Sequence, residues 1–264
     1  RLAAEVGIPV FAHCEDKNLV ARGVMNAGNR AKELGLYGIM NAVEDVIVAR
    51  DILLAKNTGA RLHLCHCSTV DSVKMTKLAK EEGIDVTAEV TPHHFTLTED
   101  DITGDDANYK MNPPLRAKAD REALKEGLKE GVMDVISTDH APHHRTEKER
   151  PFAEAPFGIT GLETSVSLTI TELVDKGVQP GDYAADVLHT LTGQHQEWMA
   201  EKLLEHGMPV EPDNYAALYV CINNQAAGVA KLLLDRGMDL EQYQTWAEKQ
   251  RKNEGYEETM AELT

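Results

Sequence analysis

Short apolar runs alternate with longer amphipathic ones over roughly the first 140 residues. IPVFAHC, Ile8 to Cys14, follows Gly7 and predicts a buried strand. The stretch NAVEDVIVARDILLAKNTG then predicts a helix. Val43, Val46, Ile47, Leu53 and Leu54 are assigned to one face and Gly59 stops it. RLHLCHCS predicts a second strand, after which Ser68 or Thr69 offers an N-cap for VDSVKMTKLAKEEG, ending at Gly83. IDVTAEVTP predicts a third strand, closed by Pro92. DREALKEGLKEG predicts another helix and VMDVIST a fourth strand. Strands separated by helices imply right-handed βαβ units and a parallel sheet, so the fold class is α/β.

Beyond about Lys176 the pattern becomes helical and repetitive. LHTLTGQHQEWMAEKLLEHGMPVE begins at Leu188 and LYVCINNQAAGVAKLLLDRGMDLE at Leu218, an offset of 30 residues. At that offset Leu203 and Leu233, Leu204 and Leu234, Gly207 and Gly237, Met208 and Met238, and Glu211 and Glu241 coincide. A recurring amphipathic helix closed by an LLxxG turn is the signature of an internal repeat. Residues 187–241 weakly resemble ankyrin repeats, with the usual TPLH reduced to VLHT and ALYV. The tail QTWAEKQRKNEGYEETMAEL reads as a polar helix or cap. The expected organisation is an α/β part over 1–180 and a helical segment over 181–264.

Composition narrows the function classes. A net charge of −17 argues against nucleic acid or an anionic membrane surface as partner. It does not forbid a small anionic substrate, which needs only local cations or a metal. No apolar run of about 18 residues predicts a membrane span, and RLAAEVGIPV lacks the basic leader and long apolar core of a signal peptide. Cys14, Cys65, Cys67 and Cys221 include one close pair, whereas a cysteine-rich zinc site needs two. They read as small apolar fillers in a reducing, cytoplasmic setting.

The chemistry lies at the strand ends. His13 falls at the end of the first strand and His66 near the end of the second. His93 and His94 follow the third strand, one read as facing inward and one outward, and Asp139 ends the fourth. Carboxyl ends of parallel strands converge on one face of an α/β fold. Two imidazoles and a carboxylate meeting there suit zinc or another first-row metal. His140 reads as a local hydrogen-bonding residue, His143 as a loop residue able to stand over a substrate, and His144 as solvated.

FAHCED, LHLCHCST, VTAEVTPHHF, NYKMNPPLR, STDHAPHH and APFGITGLE occur in an order that resembles the bacterial type I dihydroorotases of the amidohydrolase superfamily, over about residues 1–176. The resemblance implies a zinc site in a (β/α)8 barrel and interconversion of dihydroorotate and N-carbamoyl-aspartate in pyrimidine biosynthesis. By this resemblance His13, His66 and Asp139 are metal ligands, and Asp139 also moves the proton. Asn112, His143 and the Phe157–Gly158 backbone bind substrate. The family's first strand carries a His-x-His-x-Arg motif, and no His-x-His occurs in these 264 residues. The expectation is therefore a partial barrel of about four βα units, at most one zinc and impaired turnover. A catalytically inactive scaffold or protein-binding module is the alternative. A hydantoinase- or allantoinase-like hydrolase is another, against which NYKMNPPLR and APFGITGLE argue. Two unpaired sheet edges make a homodimer, or a partner bound through an edge or the helical segment, an expectation as well.

Overall fold

The computed structural model describes residues 1–178, 192–193, 197–208, 210 and 215–247. The chain divides into two compact units, Arg1–Leu168 and Thr169–Thr264.

In the first unit, β1 (Val10–Ala12), β4 (Leu62–Leu64), β5 (Val86–Val90) and β6 (Val135–Ile136) form a four-stranded sheet in the order β1-β4-β5-β6. Every pairing is parallel; Ala12 stands opposite Leu64, Leu64 opposite Ala88, and Glu89 opposite Val135. The helices Ala42–Thr58, Val70–Glu81 and Lys118–Lys129 connect these strands and pack one against the next. Thr69 is the residue that caps the second of them, in a reciprocal capping box with Ser72.

The period of two in each strand assigns the two faces. Leu62, Leu64, Val86, Ala88 and Val90 are buried on the helix side. Phe11, Thr87 and Val135 point the other way and are exposed. In the Ala42–Thr58 helix the buried face is Val43, Ile47, Val48, Ile52 and Ala55. This corrects the sequence-based assignment, because Val46, Leu53 and Leu54 are exposed. The true face steps by four, one, four and three residues, the helical period; Leu53 is out of phase with it, whereas Leu54, seven residues past Ile47, is in phase but exposed near the helix end.

Two strands of two residues each were not expected. β2 (Met25–Asn26) pairs with β3 (Gly38–Ile39) in parallel. Glycine is needed at 38 because a Cβ there would sit 2.4 Å from the Ala27 backbone.

The second unit is helical where described. The helices Glu197–Glu205 and Ala227–Asp235 occupy equivalent places at the repeat offset. Leu203, Leu204, Met208, Leu233 and Met238 are all buried in one apolar cluster. Gly207 and Gly237 both take positive φ, 89° and 98°, just past their helix ends. The tail read as a polar helix lies outside the described residues beyond Ala247.

Candidate active site

The carboxyl ends of β1 and β4 bring two of the expected ligands together. His13 Nδ1 lies 2.8 Å from His66 Nε2, with the rings edge to face. His13 continues β1 on the open face. Strict alternation from Leu64 would turn His66 toward the helices. The backbone at His66 instead adopts φ 36°, a left-handed conformation costly for a non-glycine residue, and the ring meets His13. Asp139 carries the same signature at φ 44°. It lies three residues past the short strand β6, which ends at Ile136 rather than at Asp139 as the sequence suggested.

A metal is tested here by the donor atoms. Nitrogen ligands about 2.0–2.1 Å from a tetrahedral zinc stand roughly 3.3 Å apart, so the pair would open by about half an ångström. Burial, then the neighbouring His13, pushes His66 below the usual imidazole range, against Asp139 and Glu89; the ring is in the neutral form that binds metals. His66 Nδ1 is buried without a hydrogen-bond partner. His13 and His66 therefore fit a cation. Among the described residues, the ligand atoms of His13, His66 and Asp139 do not gather within 4.8 Å of one another.

Around this pair stand groups that motif reading passed over. Glu15 receives Asn112 Nδ2 at 2.7 Å and lies 3.5 Å from His13 Nε2, tying the expected substrate residue to the expected ligand. Glu89 accepts the His66 backbone N–H at 3.0 Å through Oε1 and lies 2.9 Å from His63 Nε2 through Oε2. Cys65 is a poor nucleophile: burial first, then Glu89 and Asp139, push its thiol up to about 11.

His93 and His94 correct the inward–outward reading, because both are buried. They start a helical turn, Pro92–Thr96, whose N-cap is Thr91. His94 is held by Thr91 Oγ1 at 2.7 Å and the Pro113 carbonyl at 2.9 Å, while His93 Nε2 has no partner. Burial, then His66, lowers His93 to about 3. A neutral buried histidine binds fewer protons folded than unfolded between about pH 6.5 and 3, so its contribution falls as pH falls through that window. The slope is about 1.4 kcal/mol per pH unit for one histidine. Asp45, raised to about 6 chiefly by burial, acts in the opposite sense. The informative comparison is therefore between chains: His93→Gln should lose less stability than wild type between pH 7 and 5, measured by urea denaturation. Equal losses would show that His93 does not titrate as described.

The remaining expected residues form a loop cluster. His143 Nε2 is 2.8 Å from the Phe157 carbonyl oxygen. Gly158 takes φ 129°, and a Cβ there would lie 2.7 Å from the Ala141 carbonyl and 2.8 Å from His143 Nε2, so only glycine fits. Lys148 Nζ donates to the carbonyls of Lys110, Pro156 and Gly158 at 3.3, 3.2 and 2.9 Å. Lys110 Nζ donates to Phe152 and Ala153. Burial lowers both ammonium groups; at Lys110 the charge of Lys148 adds to the burial, and at Lys148 Asp106 opposes it. His143, Lys148, Gly158 and Thr160 border a cleft of about 690 Å³. His140 accepts the Gly161 and Leu162 N–H groups, and His144 caps the short helix Arg145–Lys148.

A parallel sheet with helices on one side and histidines beyond its strand ends fits part of a (β/α) barrel. A family model described as dihydro-orotase-like matches residues 1–72. A Staphylococcus epidermidis dihydroorotase is 57% identical over 175 residues, 66% of this chain and 41% of the relative. A Staphylococcus aureus dihydroorotase is 56% identical over the same length. Among solved structures, a Thermus D-hydantoinase (dihydropyrimidinase) matches with TM-score 0.57 and 30% identity, covering 67% of this chain and 40% of that one. A Saccharomyces cerevisiae dihydroorotase in complex with 5-fluoroorotic acid shares the fold, with TM-score 0.53 and 18% identity over 66% of this chain and 46% of that one. Over about two thirds of its length the chain is dihydroorotase-like, and it spans about 41% of the curated relatives it matches. Among the described residues no helix is long and apolar enough to cross a membrane.

Proposed function

We propose that residues 1 to about 176 supply one half of the active site of a zinc-dependent cyclic amidohydrolase, interconverting dihydroorotate and N-carbamoyl-aspartate in cytoplasmic pyrimidine biosynthesis. The observation that carries this is the meeting of His13 Nδ1 and His66 Nε2 at 2.8 Å beyond two adjacent parallel strands. The identity to dihydroorotases supports the substrate. His13 and His66 hold at most one zinc ion, with Asp139 as third ligand after a local movement. A metal in that position supplies a hydroxide at neutral pH and polarises a carbonyl. Asp139 accepts the attacking water's proton and passes it to the leaving nitrogen. Asn112 and His143 contact the ring, and the Phe157–Gly158 backbone, held by His143 at the Phe157 carbonyl, by the Lys110 carbonyl at the Gly158 N–H and by Lys148 at the Gly158 carbonyl, binds substrate after exchanging one of these bonds.

The net charge of −17 speaks against nucleic acid and anionic membranes as partners. The second unit, with its two equivalent helices, supports a protein-binding role, and the ankyrin-like reading belongs to that proposal. A homodimer through the edges of β1 and β6 is proposed on the same footing. The inactive-scaffold reading and the hydrolase reading part on one measurement. Metal analysis of the chain prepared with zinc should find bound metal whose stoichiometry falls by one equivalent in His66→Ala. An absence of metal in the unaltered chain favours the scaffold.

A further inference from the structure

We propose that His63, Cys65 and Glu89 form a second cation site, of the zinc class and with a thiolate ligand, on the open face of the sheet. The proposal does not depend on the hydrolase reading, since none of the three is among the residues assigned to that chemistry.

The strand register builds the site. Leu64 stands opposite Ala88, so the next pair along is Cys65 and Glu89. The Cys65 N–H donates to the Ala12 carbonyl at 3.0 Å and the Cys67 N–H to the Glu89 carbonyl at 2.8 Å, which carries the ladder past the end of β4. His63 lies two residues before Cys65, on the same face, opposite Thr87. Its ring leans toward the glutamate: Nδ1 is 2.7 Å from Thr87 Oγ1 and Nε2 is 2.9 Å from Glu89 Oε2. The three ligand atoms all lie within 4.8 Å of one another. Ligands of tetrahedral zinc are spaced roughly 3.3–3.8 Å apart, so the site closes by side-chain rotation of about 1 Å.

The chemistry matches the class. Imidazole, thiolate and carboxylate are the zinc donor types, and the two anions neutralise a divalent ion. Thr87 occupies the second ring nitrogen of His63 and so fixes which nitrogen faces the cation, as outer-shell groups do in metal sites. A fourth position opens toward the exposed side of the sheet, where Phe11 and Thr87 stand. Cys14, Cys67 and Cys221 are buried, leaving Cys65 as the one cysteine of the chain with access to a metal from solvent. Glu89 connects this site to the first through its bond to the His66 N–H. A cation that draws Glu89 away from His63 thus alters how the strained His66 is held.

Cobalt distinguishes the two sites, because only a thiolate ligand gives sulfur-to-cobalt charge-transfer absorption in the near ultraviolet. Titration of the whole chain with Co²⁺ should produce that band, which should survive His13→Ala and vanish in Cys65→Ser. On the unaltered chain, Zn²⁺ at about ten times its Kd should slow maleimide labelling of Cys65 roughly tenfold, by occupancy alone. Peptide mapping reads that rate whether or not the variants fold. No charge-transfer band in wild type, a band that persists in Cys65→Ser, or labelling of Cys65 indifferent to zinc would each overturn the proposal.

Discussion

Arg116→Ala is expected to cost the Arg1–Leu168 unit about 3–5 kcal/mol, the usual consequence of removing one partner from a buried charge pair. The guanidinium and the Glu44 carboxylate are both almost wholly buried, 3% and 2% exposed, with 3.7 Å between Nη2 and Oε2. Arg116 also donates to Ser68 Oγ at 3.0 Å, to Asn26 Oδ1 at 3.2 Å and to the Ile39 carbonyl at 2.9 Å. Glu44 in turn accepts the Ser68 N–H and hydroxyl. One side chain thus joins the β2–β3 pair, the Ala42–Thr58 helix and the loop just after His66. Without it, Glu44 stays buried beside two hydroxyl-bearing residues, and burial already pushes its carboxyl above the usual range. Urea denaturation of Arg116→Ala should show the loss. Glu130→Ala, which breaks an exposed contact with Lys77, should cost under about 1 kcal/mol. A loss of less than 1 kcal/mol for Arg116→Ala would mean that the pair's attraction does no more than offset its desolvation.

What the sequence made legible followed from short-range periodicity. Leu62 and Leu64, or Val86, Ala88 and Val90, declare their strands and their helix-facing side by alternation alone, and Gly59 marks its helix end. The helix face was harder, because Val46, Leu53 and Leu54 are apolar yet exposed, and apolar residues on a surface are common. β2 and β3 hold two residues each, too few for any period to register. The site was legible only in part. His13 and His66 announce themselves as histidines at strand ends. The turn that aims His66 at His13 is a left-handed backbone angle, and no residue type there signals it. Glu89 reads as a polar residue in a half-buried strand until the register places it across from Cys65. Glu44 and Arg116 meet only through tertiary folding.

The second large effect is on turnover. Dihydroorotate hydrolysis by this chain alone is expected to lie at least about 10⁴-fold below that of the Staphylococcus epidermidis relative. The physical reason is a count of preorganised groups. Each one removed from a hydrolytic site costs about 10²–10³ in rate. The His-x-His-x-Arg motif that the resemblance calls for occurs nowhere in the sequence, which removes two ligands and a carboxylate clamp together. What remains is the His13–His66 pair, Asp139 and the His143–Phe157 loop, all on one sheet and its exits. Mixing the chain with the part of the relative that it does not match should therefore raise the rate. Asp139→Ala should remove that gain, because Asp139 favours the protonation of His66 more than Glu89 does, and Glu89, the other carboxylate beside His66, is already engaged by the His66 N–H and the His63 ring. Asp139→Ala that keeps the rescued rate would transfer the proton role elsewhere, with Glu15 the next carboxylate to test, at 3.5 Å from His13. Full activity from the chain alone would show that the residues gathered here carry the chemistry without the missing motif.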